Sequence, residues 1–356
     1  MQAQPARAID ETKLQAILGK VVGDLGAAMS CSLALLGERL GLWRALAETP
    51  LTSEELAAKT GTTERYVREW LLHQAASGYV LYHPSTKKYE LPHEHALVLA
   101  DDRSPFSVLG GFQIVSALSR ARERVEESFR TGSGMAWGEH DVDLFEGTQR
   151  FFRSAYLRSL VAQWLPSLDG VTDRLERGAR VADVGCGFGA STILMAEAFP
   201  KSTFTGFDNH APSVDAARAS AIASGVDART SFEVAKASDF PGDGYDLVCY
   251  FDCIHDMGEP ALALERARKS LAPGGTIMIV EPMAGNSPEE NHNPVGRVFS
   301  GASVLCCTPN AVATGNTWLG TCASDEDLRV VAHAAGLTRF RRAFEDPFNR
   351  VFEARP

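Results

Sequence analysis

The run Val181-Ala-Asp-Val-Gly-Cys-Gly-Phe-Gly-Ala-Ser-Thr192 decides the fold. An apolar strand leads into three glycines at alternate positions, Gly185, Gly187 and Gly189, and a helical pattern follows at once. Glycines at a strand-to-helix turn allow a sharp change of direction, and they let a ligand come close to the backbone and to the N–H groups of the helix start. Asp183 is an acid inside this apolar strand, so its buried carboxylate needs a partner, such as a cationic ligand. The run predicts a ligand-binding turn in an α/β sheet.

Short apolar runs alternate with helical segments on both sides of this turn. The predicted strands are 180–184, 203–207, 245–250 and 276–280, and the predicted helices are 190–198, 211–224 and 260–271. Such alternation is typical of a parallel sheet with helices on both faces. Asp208 closes the second of these strands, 19 residues after Gly189. An acid at this place can bind both ribose hydroxyls of an adenosine moiety.

The N-terminal third has a different pattern. Apolar residues recur at helical spacing over 15–46, which predicts a helix in two pieces, and two short capped helices follow at 51–61 and 62–78. A predicted hairpin at 79–82 and 89–91 completes a winged helix. Seven Lys and Arg face ten Asp and Glu over 28–102. This negative balance disfavours DNA binding, and we expect a module for dimerisation and for roofing a pocket.

Composition and charge exclude several classes of function. The chain has 356 residues, 35 Lys and Arg, 45 Asp and Glu, and a net charge of −10, which disfavours nucleic acid as a partner. Its length and its 45% hydrophobic content predict about two globular domains. The uninterrupted apolar runs are far shorter than a membrane span, no secretory pattern opens the chain, and the seven cysteines lack a CxxC pair. We expect a cytoplasmic protein with no metal and no contact with a membrane.

Several motifs together resemble the class I S-adenosylmethionine (SAM) dependent methyltransferases. The glycine run at 183–189 is similar to their first motif, Asp208 falls at their ribose-binding acid, and 245–248 and 271–275 are similar to two later motifs. With its N-terminal part, the chain resembles bacterial methyltransferases fused to a winged helix and, more distantly, small-molecule O-methyltransferases. The resemblance implies SAM as cofactor, S-adenosyl-L-homocysteine as product and a small-molecule substrate. It also implies an α/β fold with a Rossmann-like seven-stranded sheet that ends in a hairpin at 338–345 and 349–354, behind an N-terminal α-helical winged-helix domain.

This resemblance leads to a division of the chain into three parts. Residues 1–102 are expected to form a helical, winged-helix dimerisation domain, and 103–170 a helical linker that contributes to the substrate pocket. The methyltransferase domain is expected over 171–356, with a lid insertion at about 282–322, because that connection is long for a simple loop. The apolar helices at 15–46 predict a homodimer, since they are too hydrophobic for a free surface.

The resemblance also implies a set of cofactor-binding residues. These are Asp183, Gly185, Cys186, Gly187, Gly189, Asp208, Asn209, Lys236, Ala237 and Asp252. Many relatives have Gly-Asp-Ala after the third strand, where the Asp accepts from the adenine amine, but this chain has Ala235-Lys236-Ala237. Lysine cannot accept that hydrogen bond, so backbone groups near Ala237 or the side chain of Asp239 would replace it. Asp252 would face either the methionine portion of the cofactor or the methyl acceptor.

The pair His255-Asp256 lies where O-methyltransferases have their general base. A hydroxyl acceptor must lose its proton as it attacks the methyl group, and histidine suits this task near neutral pH. The alternative is that His255 only shapes the pocket. The predicted substrate-contacting residues are Phe112, Trp137, Met283, Arg297 and Ser303.

Two other functions share parts of this pattern. One is a regulator that senses SAM or a hydrophobic ligand and binds DNA through the winged helix, which the negative charge of that module disfavours. The other is a nicotinamide-dependent oxidoreductase, which would share the glycine turn and the ribose acid. This chain lacks the GxGxxG spacing typical of such enzymes, and that function would explain neither Asp183 nor the pair His255-Asp256.

Overall fold

The computed structural model describes residues 9–356, in two compact units that divide between Ser116 and Ala117. The first unit is helical and carries one small antiparallel hairpin. Its elements are α1 (Glu11–Arg39), α2 (Leu42–Glu48), α3 (Ser53–Thr60), α4 (Glu64–Ala76), β1 (Leu81–His83), β2 (Lys88–Glu90), α5 (His93–Leu99) and the start of α6 (Leu109–Arg120). The predicted winged helix is therefore confirmed.

Local sequence explains the helix ends in this unit. Thr52 Oγ1 accepts the Glu55 N–H at 3.2 Å and Glu55 Oε2 accepts the Thr52 N–H at 2.9 Å, so the two residues cap α3 reciprocally. The long helical pattern at 15–46 breaks once, at Gly41, whose φ of 72° is a left-handed conformation that glycine adopts without steric cost. The prediction of two helical pieces is thus confirmed as α1 and α2.

Two tryptophans hold the C-terminal part of α1 against the rest of the first unit. The Nε1–H of Trp43 donates to the carbonyl of Ala34 at 2.9 Å, and that of Trp70 donates to the carbonyl of Leu33 at 2.8 Å. Gly37 makes this contact possible, because a Cβ there would come within 2.5 Å of the Trp70 ring and 2.6 Å of the Trp43 ring. The rings therefore lie directly on the backbone of α1.

The N-terminal part of α1 exposes a continuous apolar surface. Its exposed apolar side chains include Ile17, Leu18, Val21, Val22, Leu25 and Met29, each with more than two fifths of its surface accessible. By length and composition α1 could cross a membrane, although its sequence contains no long uninterrupted apolar run, because glycines and charged residues interrupt it. One such helix near an N-terminus is weak evidence for a membrane span, because signal sequences and core helices pass the same test.

The second unit is built around a seven-stranded sheet with the strand order β5-β4-β3-β6-β7-β9-β8. Strands β3 to β7 are mutually parallel, and β9 runs antiparallel to β7 and β8. Its further helices are α7 (Arg122–Thr131), α8 (Val142–Ala155), α9 (Val171–Arg177), α10 (Ala190–Ala198), α11 (Ala211–Ala223), α12 (Pro260–Ser270), α13 (Pro294–Ala302), α14 (Thr308–Thr314) and α15 (Asp325–Ala334). The strands are β3 (Arg180–Val184), β4 (Thr203–Asp208), β5 (Thr230–Val234), β6 (Tyr245–Phe251), β7 (Leu271–Pro282), β8 (Arg339–Glu345) and β9 (Asn349–Arg355). The predicted fold class is confirmed.

Both faces of this sheet are buried. One apolar cluster includes Trp164, Phe204 and Met278, and the other includes Tyr250 and Phe352. Burial on two faces explains why the central strands are continuous apolar runs rather than alternating ones. It leaves the carboxyl ends of the parallel strands as the place for a ligand.

The division between the units differs from the expected boundary at 102. Phe112 is half-buried and packs against the apolar core of the first unit, which explains why that unit extends to Ser116. The expected division of the chain at 102 and 170 stays a prediction. The expected insertion at 282–322 contains α13, the π-helical turn Ser303–Cys307 and α14.

Candidate functional site

A cavity of about 520 Å³ lies in the second unit at the carboxyl ends of β3, β4, β5 and β6. Its walls come from the loops after these four strands and from residues of α8 and α14. The volume is in the range of small-molecule sites, and the position is where open α/β sheets bind ligands. Most of the predicted cofactor-binding residues meet here.

The glycine turn forms one side of the cavity. Gly185, Gly187 and Gly189 have φ values of 78°, 51° and 79°, and Gly185 and Gly187 line the cavity together with Cys186. A Cβ on Gly185 would come within 2.9 Å of the Cys253 sulfur. Gly189 caps α10 behind the cavity wall. The positive φ values explain why the chain has glycine at all three positions.

Asp183 lies behind this turn and not on the cavity wall. Its side chain is fully buried, and its Oδ2 accepts hydrogen bonds from Ser191 Oγ and Thr192 Oγ1, both at 2.6 Å. Burial raises the pKa of Asp183 to about 6, although the two hydroxyls act in the opposite direction. Oδ1 is buried without a hydrogen-bond partner. The carboxyl therefore ties the start of α10 to β3. Ser191, one of its two partners, also lines the cavity.

Asp208 lines the cavity and holds the glycine turn. Its Oδ2 accepts the Gly187 N–H and its Oδ1 accepts the His210 N–H, both at 2.9 Å. Burial raises the pKa of this carboxyl above its usual value. Each carboxylate oxygen can accept a second hydrogen bond, so a ligand diol fits here. Asn209 lies next to it on the same wall.

The loop after β5 forms the far end of the cavity. Lys236, Ala237 and Ser238 line it, and the Ala235 N–H donates to the Asp208 carbonyl at 2.9 Å. Asp239, the expected alternative partner for adenine, is not among the lining residues. The loop backbone and Ser238 therefore supply polar groups at this end of the cavity.

Asp252 follows β6 in an unusual conformation. Its φ is 52°, which is uncommon for a residue other than glycine, and its N–H extends the sheet by donating to the Val280 carbonyl at 2.8 Å. Asn349 Nδ2 donates to Oδ1 at 2.9 Å, and the Tyr156 hydroxyl lies 3.5 Å from Oδ2. Burial, together with Glu281, raises the pKa of Asp252 well above its usual value. The strained backbone places a carboxyl on the cavity wall.

His255 is close to the cavity but does not line it. Its Nδ1–H donates to Oε2 of Glu281 at 2.6 Å, and Glu281 Oε1 accepts the Ile254 N–H at 3.0 Å. The Cys307 thiol is a second side-chain partner of the ring, and only 5% of the His255 side chain is accessible. Burial by itself lowers the pKa of His255, but Glu281 and Cys307 outweigh it, so the pKa lies well above its usual value.

Asp256, the other member of the predicted catalytic pair, does line the cavity. Burial raises its pKa to about 7, against the opposing effect of His255. Asn310 Nδ2 donates to the Asp256 carbonyl at 3.0 Å, and Asn310 Oδ1 accepts the Trp137 N–H at 2.9 Å. Asn310 thus joins Trp137 and Asp256 into one wall.

Of the five predicted substrate-contacting residues, Trp137 lines this cavity. Phe112 packs in the first unit, and Arg297 lies on an exposed position of α13. Met283 lines a second, smaller cavity of about 260 Å³. Ser303 begins the π-helical turn, and its Oγ accepts the Thr321 N–H at 3.3 Å. The structure brings none of these four to the cavity.

Sequence reasoning missed several residues of the site. Glu281 binds His255, and Asn310 binds the backbone of Asp256. Tyr156 and Asn349 contact Asp252. Glu259 lines the cavity. The signal for Glu281 was present, because it is an acid that ends the apolar run 276–280, as Asp183 interrupts the first strand. Among residues 9–356, no group of three or more His, Cys, Asp or Glu side chains could hold a metal ion.

Comparison with known proteins agrees with this architecture. Residues 175–334 match a family model described as a methyltransferase domain, and residues 27–101 match one described as an Rv2258c-like winged HTH domain. The chain is 29% identical to 27-O-demethylrifamycin SV methyltransferase of Amycolatopsis mediterranei over 43% of its own length and 51% of that protein. It thus spans about half the length of the curated relatives it matches.

Solved structures match nearly the whole chain. The mitomycin 7-O-methyltransferase MmcR has a TM-score of 0.71 at 20% identity, over 97% of this chain and 100% of that one. Human N-acetylserotonin methyltransferase in complex with SAM has a TM-score of 0.70 at 17% identity, over 99% of both chains. At such low identity these structures show the fold. Together with the two family models and the seven-stranded sheet, they show that the chain has a methyltransferase domain with the class I fold, preceded in sequence by a winged helix-turn-helix domain.

Proposed function

We propose that this protein transfers a methyl group from SAM to a hydroxyl group of a small molecule. The observation that carries the proposal is the glycine turn, whose Gly187 N–H is held by Asp208 on the wall of a ligand-sized cavity. A cofactor that contains a ribose needs a diol-binding carboxylate at this position. Asp208 has that place and keeps free acceptor capacity, so the residues fit SAM.

The residues that would hold SAM follow the edge of the sheet. The loop after β5, with Lys236 to Ser238, would hold the adenine, Asp208 the ribose, and the glycine turn the centre of the molecule. Asp252, whose carboxyl lies on the same cavity wall as the glycine turn, would stabilise the positive charge of the methionine portion. When bound, SAM supplies a methyl group already activated by its sulfonium charge.

The work left to the protein is positioning and proton removal. The aromatic side chains of α8 and Trp137 line one side of the cavity, and α14 lines another, so these walls would align the acceptor. We propose that the pair His255-Asp256 accepts the proton of the reacting hydroxyl. Asp256 is the member on the cavity wall, and a pKa of about 7 lets its carboxylate accept a proton near neutral pH. That His255 is itself the base stays a prediction.

The names of similar proteins support oxygen as the acceptor atom. The matched relative from Amycolatopsis mediterranei is named a 27-O-demethylrifamycin SV methyltransferase, and the structurally similar MmcR is named a mitomycin 7-O-methyltransferase. A small-molecule acceptor also suits a cavity of about 520 Å³.

Calorimetric titration of the purified protein with SAM and with S-adenosylhomocysteine tests the cofactor. We expect micromolar binding by the wild type and at least a hundredfold weaker binding by Asp208→Ala. The control is Asp215→Ala, which removes an exposed aspartate on α11 that pairs with Arg218 outside the cavity. Equal affinity of the wild type and Asp208→Ala would contradict the assignment of Asp208, and no binding by the wild type would contradict the proposed function.

Three further properties belong to this proposal. The exposed apolar surface of α1 supports a homodimer, because a surface of this kind is stabilised by burial against a second copy. All seven cysteines are free thiols, which supports a reducing cytoplasm. The arginines of α4 pair with glutamates of the same helix, Arg65 with Glu69 and Arg68 with Glu64, which disfavours nucleic acid as a partner.

A further inference from the structure

The distribution of charge around the cavity is uneven. Among the residues that line it, the carboxyl groups belong to Asp208, Asp252, Asp256 and Glu259, whereas the side chain with a full positive charge is that of Lys236. Three of the four carboxyl groups, those of Asp252, Asp256 and Glu259, come from the loop after β6. The end of the cavity away from Lys236 is therefore acidic.

Lys236 is far from this acidic end within the sheet. It follows β5, and the strand order β5-β4-β3-β6 separates β5 from β6 by three strand spacings, about 14 Å. Lys236 is also exposed, so water screens its charge. The charged groups that act most strongly on the Asp256 carboxyl are His255, Glu281 and Asp208, of which His255 alone is basic. His255 is already paired with Glu281.

The three carboxyl groups after β6 differ in what they already bind. Asp252 accepts from Asn349 and lies next to Tyr156, beside the glycine turn, so it belongs to the cofactor side. No side chain among the described residues donates to the carboxyl group of Asp256, since the Asn310 amide donates to its backbone carbonyl instead. Glu259 has one long contact, 3.5 Å from Asn316 Nδ2. Asp256 and Glu259 thus retain acceptor capacity for a second ligand.

Trp137 lines the same cavity as Asp256 and Glu259. Asn310 joins the backbones of Trp137 and Asp256, and the Trp137 ring lies 5.4 Å from that of Phe145. Aromatic faces next to carboxylates attract organic cations, because both the ring quadrupole and the carboxylate charge favour a positive group. A carboxylate ligand would meet repulsion at the same place.

We infer that the methyl acceptor carries a protonated amine, which Glu259 and Asp256 bind beside Trp137. The inference rests on the proposed function and narrows its substrate class, from any small hydroxyl compound to hydroxylated amines. A bound ammonium group would also favour the ionised form of Asp256, which is the form that can take the proton of the reacting hydroxyl.

Binding of two matched probes tests this inference. Dopamine and 3,4-dihydroxyphenylacetate carry the same catechol ring and similar short side chains, which end in an ammonium and a carboxylate group. The full chain, saturated with S-adenosylhomocysteine, is titrated with each probe in a calorimeter. We expect dopamine to bind at least tenfold more tightly than 3,4-dihydroxyphenylacetate, and Glu259→Gln to weaken dopamine at least threefold. Glu290→Gln, which changes an acid on the smaller cavity, is the control and should change neither affinity.

Several outcomes would overturn the inference. These are equal or tighter binding of the carboxylate probe, undetectable binding of both probes at millimolar concentration, and an unchanged dopamine affinity in Glu259→Gln. The titration with S-adenosylhomocysteine on the same samples shows that each variant is folded. The same titration separates the two proposals, because absence of S-adenosylhomocysteine binding by the wild type would contradict the cofactor assignment rather than the substrate class.

Discussion

Nδ1 of His255 lies 2.6 Å from Oε2 of Glu281, and the other oxygen of the same carboxylate accepts the N–H of Ile254 at 3.0 Å. The carboxylate therefore fixes both the ring of His255 and the backbone before it. Because β7 supplies Glu281 and the loop after β6 supplies His255, neighbouring parallel strands position the pair. A buried histidine next to a carboxylate keeps its proton to higher pH.

Glu281→Gln should lower the pKa of His255. The amide keeps an acceptor for the N–H of Ile254 but removes the charge that stabilises the protonated ring. The measurement is the pH titration of the His255 ring by NMR, with Glu290→Gln as control. An unchanged His255 titration in Glu281→Gln would show that the carboxylate does not set its charge state.

Asp183 should make the free protein less stable as pH rises from about 4 to about 6. Its folded pKa is about 6, against 3.8 for the ordinary group, so in this range the unfolded chain has lost a proton that the folded protein keeps. The free energy of unfolding then falls with rising pH and levels off above about 6. Asp183→Asn should remove this part of the pH dependence in urea unfolding curves. A wild type and a variant with parallel pH profiles would contradict the raised pKa.

Gly37→Ala should destabilise the first unit by about 1–3 kcal/mol, which is typical of overpacking. The added Cβ would lie 2.5–2.6 Å from the rings of Trp70 and Trp43. Gly19→Ala, on the same helix, meets nothing within 4 Å and should stabilise α1 by about 1 kcal/mol through helix propensity. Urea unfolding followed by tryptophan fluorescence compares the two variants. Equal effects would mean that the tryptophans do not need a glycine beneath them.

The double variant Val22→Glu, Met29→Glu should convert the proposed homodimer into a monomer. Both side chains are more than three fifths exposed on α1, and two charges there would have to be buried in the interface. Light scattering measures the mass in solution. Ile222→Glu, at an equally exposed position on α11, is the control and should leave the mass of a dimer unchanged. A monomeric wild type would end the proposal.

Much of the second unit could be predicted from the sequence, because its central strands are buried on both faces. The predicted strand 180–184 and helix 190–198 coincide with β3 and α10, and the strand 203–207 is one residue short of β4. The clearest difference is β7, which begins at Leu271, five residues before the predicted strand. Pro273, Gly274 and Gly275 have the pattern of a turn, but the pairing of Leu271 with Tyr245 includes them in the strand.

The part of the site that depends on sequence neighbours was also predictable. The glycine turn and Asp208 lie at the ends of β3 and β4, and Asp256 lies in the loop after β6. The structure places all three on the same cavity. The contacts of Asp252 with Tyr156 and Asn349 join residues almost a hundred positions apart, and no local pattern indicates them. For the same reason the aromatic character of Phe112 favours a place in the pocket, although its side chain packs in the first unit.

The bridge that Asn310 makes between Trp137 and Asp256 has a consequence for protein engineering. Three segments, separated by as many as 173 positions in the chain, meet through the two hydrogen bonds of one amide side chain. Grafting any one of these segments from a relative would leave a donor or an acceptor of the other two unmatched. A change of acceptor preference is therefore expected to require exchange of all three segments as a set, whereas single-segment chimaeras would lose the wall before they gained a new specificity.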